Sequence, residues 1–144
     1  MYRVLMCAAA GVLLIGNQAV AQEKVSFPST DGDLKGGTPT TITGYLYKPA
    51  GSGPFAAVVG MHGCGGVLNE KGEIDLLYGL WGEILSRAGY VVLLVDSFRP
   101  RGQSNLCLMQ PISIRPILPW RETLRDTFGG MNYLRSRPDV RPDA

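Results

Sequence analysis

The sequence predicts an α/β protein, with a mostly parallel sheet and flanking helices. Three observations carry that prediction. Phe55 to Met61 and Tyr90 to Asp96 are short, almost wholly apolar runs, the pattern of strands covered on both faces. Between them Ile74, Leu77, Trp81, Ile84, Leu85 and Ala88 recur at three- and four-residue steps, the period of an amphipathic helix. Strand, helix and strand in that order, with no room for a hairpin, form a right-handed βαβ crossover.

The chain of 144 residues is 45% hydrophobic and 18% charged, which suits one globular domain. Its start is set apart from that domain. Met1 to Arg3 is a short basic stretch, Val4 to Gly16 an apolar core, and Ala19-Val20-Ala21 a small-residue cleavage site. Residues 1 to 21 thus read as a secretory signal peptide, and residues 22 to 144 as the exported domain, periplasmic or secreted. The apolar core, at roughly 13 residues against about 20 for a membrane span, is short for a retained anchor.

After the leader, Val25 to Thr30 is a candidate strand, followed by the loop "DGDLKGGTPT". Thr41 to Tyr47 alternates β-formers, so the two strands form a hairpin. "AGSGP" is a turn leading into the first apolar strand. Gly89 stands where a left-handed helix C-cap belongs, just ahead of the second strand. From Ser97 to Pro119 the composition is irregular, with four prolines, and spells a long excursion at the strand's carboxyl end. Pro119 then opens a helix whose apolar face is Trp120, Leu124, Phe128, Met131 and Leu134. Gly129-Gly130 weakens it locally, and Ser136-Arg137-Pro138 stops it. The remaining "DVRPDA" is too short to pack. Trp81 and Trp120 fall on apolar helical stripes and are expected in the core.

Charge excludes some function classes. The net charge is +2, and loss of the leader removes one arginine, so nothing favours a polyanion partner. The arginines crowding the carboxyl end lack interleaved aromatics and read as a solvated helix face, not a nucleic-acid surface. Of three cysteines Cys7 leaves with the leader, so Cys64 and Cys107 meet an oxidising compartment. They lie at the carboxyl ends of adjacent predicted strands, where a disulfide and two free thiols are both open outcomes. Zinc is disfavoured, since one His and two Cys without paired spacing fall short of four ligands.

The first apolar strand stops at His62-Gly63-Cys64-Gly65-Gly66, which holds the chain's only histidine. Glycines there let backbone N–H groups approach a ligand or a developing negative charge; a plain tight turn is the alternative. In company, "VVGMHGCGG", "GYVVLLVDSFRPRG" and "WRETLRDTFGGMNYLRSRPDV" resemble exported bacterial members of the dienelactone hydrolase family, within the α/β-hydrolases. The resemblance covers about residues 40 to 140. It implies an ester or lactone hydrolase with a Cys or Ser nucleophile, an acid and a histidine, a small-molecule substrate and no metal or organic cofactor. The amide of Cys64, with Gly65 adjacent, would be the oxyanion donor, and His62 would orient the loop without serving as the base.

The family's nucleophile sits on a Gly-x-(Ser/Cys)-x-Gly turn after the strand that follows the last helix seen here, and no such turn occurs in this sequence. The expectation is therefore the amino-terminal half of a hydrolase, incomplete before the nucleophile strand and inactive alone. The competing class is a non-catalytic exported βαβ module that binds a small anionic ligand or partner. Arg99 and Arg101 are candidates for a substrate carboxylate, with solvent-exposed arginines as the alternative. Asp96, at the edge of the sheet where ligands bind in such folds, reads as structural, pairing with Arg101 or capping the following loop, with substrate contact as the alternative. Cys64 as a nucleophile beside His62 lacks an orienting carboxylate. A dinucleotide site is disfavoured, because Leu68 occupies the third glycine position.

Overall fold

The computed structural model describes residues 20–143. All but the last two residues of the proposed leader therefore lie outside the described residues. β1 (Ala21–Pro28) begins earlier than the sequence suggested and pairs antiparallel with β2 (Thr41–Lys48), in register from Ala21 opposite Lys48 to Pro28 opposite Thr41. β3 (Ala56–Met61), α1 (Leu76–Arg87) and β4 (Tyr90–Asp96) follow. β4 lies between β2 and β3, giving the order β1-β2-β4-β3. It runs parallel to β3 and antiparallel to β2, so the described sheet is mixed.

β4 is buried on both faces, as its composition demands. Val91, Leu93 and Val95 enter a cluster with Val25, Phe27, Ile42 and Leu46, while Val92 and Leu94 join Tyr45, Tyr47 and Val67 on the opposite face. β3 departs from the expectation, because every residue in it is only half-buried. It is the last full strand, with β4 on one side alone, so an apolar composition did not distinguish an edge from a centre.

Each helix turns only part of its predicted apolar stripe to the core: Ile74 and Leu85 at α1, Leu134 on the second helix. In α1 a Cβ on Gly82 would stand 2.7 Å from the Tyr47 ring, so the helix backbone lies directly against that ring. The stripe is consequently split: Ile74 and Leu85 pack against the core, but Leu77, Trp81 and Ile84 are exposed, as are Leu76 and Leu80. Ile74 precedes the helix and bridges to Leu68. Asp75 caps the first turn by accepting from Leu77 N at 3.0 Å, and Gly89, with φ 95°, ends the helix as expected.

α2 (Leu124–Arg135) is preceded by a π-helical turn at Pro119–Thr123. It buries Asp126, Gly129, Gly130 and Leu134, whereas Trp120, Leu124 and Phe128 are exposed. The glycine pair is a contact more than a weakness. A Cβ on Gly129 would lie 2.5 Å from the Pro28 carbonyl oxygen, and one on Gly130 would lie 3.2 Å from the Leu93 side chain. Neither tryptophan is a core residue, since Trp81 is 53% and Trp120 57% exposed.

The carboxyl-terminal segment also packs, contrary to expectation. Val140 is buried in the main cluster and forms a parallel bridge with Phe55, at the start of β3. Phe55 N donates to Asp139 O at 2.9 Å and Arg141 N to Phe55 O at 2.8 Å. Asp139 accepts two bonds from Arg137 and pairs with Lys48 at 2.7 Å. The Arg137 guanidinium outweighs burial and holds the Asp139 carboxyl at about 2. No helix among the described residues is long and apolar enough to cross a membrane.

Candidate functional site

The glycine loop leaves the carboxyl end of β3 and is anchored at its first residue. His62 is buried, and its ring stands edge-on to Phe98 at 4.3 Å. Ser97 N donates to Nε2 at 3.1 Å, so Nδ1 carries the proton and donates to Gly63 O at 2.8 Å. Burial pushes the imidazole pKa below its ordinary value, and both nitrogens are engaged by backbone. The geometry of His62 is that of a tie between the ends of β3 and β4.

Beyond it, Gly63 N donates to the Tyr78 hydroxyl at 2.9 Å, and Gly66 N donates to Gly63 O at 3.2 Å, closing the turn. Gly66 has φ 84°, and a Cβ there would meet Ser104 O at 2.6 Å. Glycine is required at that position. Gly65 has open space where a Cβ would project, so sterics do not demand glycine there. Among the described residues, the amides of Cys64 and Gly65 have no hydrogen-bond partner.

Cys64 and Cys107 are joined by a disulfide, and Leu106 N donates to Cys64 O at 2.8 Å beside it. A bridged Cys64 has no thiolate, which removes it as a nucleophile. The bridge brings the excursion after β4 onto the glycine loop. Asp96, fully buried, starts that excursion by accepting from Phe98 N at 3.1 Å and Arg99 N at 3.0 Å. Of its two expected structural roles it therefore fills the capping one.

Arg101 does not pair with Asp96, and it is not placed to bind substrate. Its guanidinium is buried between two carboxylates: Nη2 donates to Asp31 Oδ2 at 2.9 Å, and both terminal nitrogens reach Asp126 at 2.8 Å. Nη1 also donates to Ser97 O at 2.9 Å. Thr40 completes the set through its amide and hydroxyl on Asp31, and Ser29 through its hydroxyl on Asp126. Burial pushes the Asp31 carboxyl up, but the Thr40 bonds and Arg101 outweigh it and hold the group below its ordinary value. The network fixes the β1–β2 loop, the excursion and α2 to one another.

Arg99 alone of the two candidate arginines remains at a surface. It donates to Asn69 O at 3.1 Å and lines a cleft of about 680 Å³ together with Gly65, Gly66, Tyr78, Ser104 and Asn105. Glu70 and Asp75 sit on the same walls, so the cleft has mixed charge. A smaller hollow of about 100 Å³ involves His62, Cys64, Phe98, Arg115 and Ile117. Among the described residues no group of three or more His, Cys, Asp or Glu could hold a metal.

Two residues at this end were not singled out by motif. Tyr78 was hidden because a tyrosine in the first turn of a helix has no local signature, and only the fold brings it to Gly63. Glu122 is buried and accepts from Leu118 N at 2.9 Å, capping the turn before α2. Its position three residues after Pro119 was a legible first-turn signal.

No family model matches the chain. It is 27% identical over 110 residues to "Putative hydrolase YtaP" of Bacillus subtilis (strain 168), spanning 69% of this chain and 36% of that protein. Among solved structures it is similar to m3DLH, with TM-score 0.55 and 19% identity over 88% of this chain and 47% of the other. It is also similar to P91, a dienelactone hydrolase-like promiscuous phosphotriesterase from metagenomic libraries, with TM-score 0.55 and 18% identity over 84% and 46%. Esterase Est22 matches at TM-score 0.53 and 19% identity, over 83% and 31%. The fold is that of the α/β-hydrolases, and the chain spans about a third to a half the length of these relatives.

Proposed function

We propose that this chain is the oxyanion-side part of an exported hydrolase of the dienelactone hydrolase type, acting on ester or lactone carbonyls. The supporting observation is the pair of unpartnered amides at Cys64 and Gly65, on the loop that borders the cleft. Two such N–H groups suit an oxygen that gains negative charge as a carbonyl is attacked. The tie from His62 to Ser97, the Tyr78 contact and the Cys64–Cys107 bridge hold that loop in place before any substrate arrives, so little reorganisation is needed.

The attacking Cys or Ser, its histidine and its acid belong to sequence outside these 144 residues in this reading. The chain alone then has no nucleophile turn with which to hydrolyse an ester. The non-catalytic alternative, an anion-binding module using Arg99 and Arg101, loses one of its two cations, because Arg101 is neutralised by Asp31 and Asp126.

The test joins mass and turnover on native protein from a periplasmic extract. A mass about twice that of residues 22 to 144, accompanied by hydrolysis of short-chain nitrophenyl esters, supports the reading. A mass equal to residues 22 to 144, with no turnover, overturns it and also shows leader removal after Ala21.

A further inference from the structure

We infer that the Cys64–Cys107 disulfide is a reversible latch on the candidate site, so that the glycine loop is held in its working form only while the bridge is oxidised. This inference rests on the site assigned above and adds its regulation. The supporting feature is how little else holds the excursion down beyond Leu106, whereas its start is fixed through Arg99 and Arg101. From Cys107 to Ile117, every hydrogen bond among the described residues stays within the excursion itself. Cys107 N donates to Asn105 Oδ1, Met109 N to Leu106 O, Ile114 N to Pro111 O, and Arg115 N and Nε to Ile112 O and Met109 O.

Its apolar residues do little more. Leu108 is 97% and Ile114 60% exposed; the buried ones are Leu106 and Ile117, in a small cluster with Phe98, and Leu118 at the turn before α2. That cluster is separate from the two that clothe the sheet. A segment with few buried contacts and self-contained hydrogen bonds opens at lower free energy than the sheet it sits on. On the other side of the bridge, the Cys64 carbonyl depends on Leu106 N, and Gly66 packs directly against Ser104 O. Loosening the excursion therefore removes the packing that shapes the turn.

Both cysteines are half-exposed, within reach of a reductant. A thiolate of a dithiol reductant attacks one sulfur of the bridge, and the mixed disulfide so formed is resolved by the reductant's second thiol. The reductant ends as its own disulfide, and Cys64 and Cys107 end as two thiols, with two electrons and two protons transferred. Reoxidation in an oxidising compartment restores the latch.

Hydrogen exchange read by mass spectrometry tests this on the full chain, before and after dithiothreitol, with Cys107→Ser as a second route to the open state. Turnover is not needed for the readout, so failure of the latch is separable from failure of the hydrolase reading. The expected result is that the hydrogen-bonded amides of Gly66, Leu106, Cys107, Met109, Ile114 and Arg115 exchange at least about tenfold faster on reduction, while those of β2 and β4 keep their protection. Cys107→Ser should reproduce that pattern and ignore dithiothreitol. Unchanged exchange in the two loops overturns the latch, and so does loss of protection throughout the sheet, which marks the bridge as a requirement for folding.

Discussion

Gly66 is the residue on which the loop turns, and it shows what a run of glycines does and does not disclose. Its positive φ alone disfavours alanine by about 1–2 kcal/mol. The added Cβ would also press on a backbone oxygen that cannot rotate away. Gly66→Ala should therefore lower the unfolding free energy read from urea denaturation by at least that amount, whereas Gly65→Ala should leave it nearly unchanged. The sequence marked three glycines as a turn but could not tell which was indispensable, because Ser104 reaches Gly66 only through the fold. Under the proposed function, Gly65→Pro removes one oxyanion N–H and should lower kcat of the longer hydrolase by about 10²–10³ with a smaller change in KM. His62 adds a dependence on pH. Burial lowers its folded pKa, so the unfolded chain takes up a proton where the folded chain does not. Its contribution to stability is complete above about 6.5 and is lost as pH falls from there through the folded value. His62→Gln should flatten the change in melting temperature between about pH 7 and 5, and no other histidine confounds the measurement.

At the scale of elements, the strand-helix-strand unit was legible because apolar runs and a 3.6 period are local properties of the chain. Which face of a helix meets the sheet was not. Period locates a stripe but not its partner, and in both helices a close backbone approach through glycine left most of the stripe outward, with Leu85 and Leu134 still packed inward. Long-range pairing hid Arg101 in the same way, since its partners are 70 and 25 residues away. Arg101→Ala would leave two buried carboxylates facing each other and should destabilise the protein by about 3–5 kcal/mol, read by chemical denaturation. The Asp139 pair, at the start of the carboxyl-terminal segment, responds to acid. Its folded pKa of about 2 lies below the ordinary 3.8, so its contribution is present above 3.8 and disappears as pH falls through about 2. Asp139→Asn should lose up to about 2 kcal/mol at pH 7, with the difference from the parent vanishing by about pH 2.

The whole molecule exposes more apolar helix surface than its core clusters would suggest. Leu76, Leu77, Leu80, Trp81 and Ile84 form one stripe on α1, and Trp120, Leu124 and Phe128 another on α2. β3 adds an edge that Val140 bridges only near Phe55. The chain of residues 22 to 144 should therefore self-associate at micromolar concentration. Sedimentation velocity checks this, and a monodisperse monomer would contradict it. The hydrolase fold was legible through its motifs, but the extent of uncovered surface was not, because composition does not record which faces meet. The placement of β4 between β2 and β3 has a consequence for biosynthesis. A ribosome releases β1 and β2, which can zip into a hairpin at once, and then β3, which has no neighbour to join. Only when Tyr90 to Asp96 has cleared the exit tunnel do the two earlier pieces gain a common partner. The last of the four strands to be made is thus the one that turns them into a single sheet.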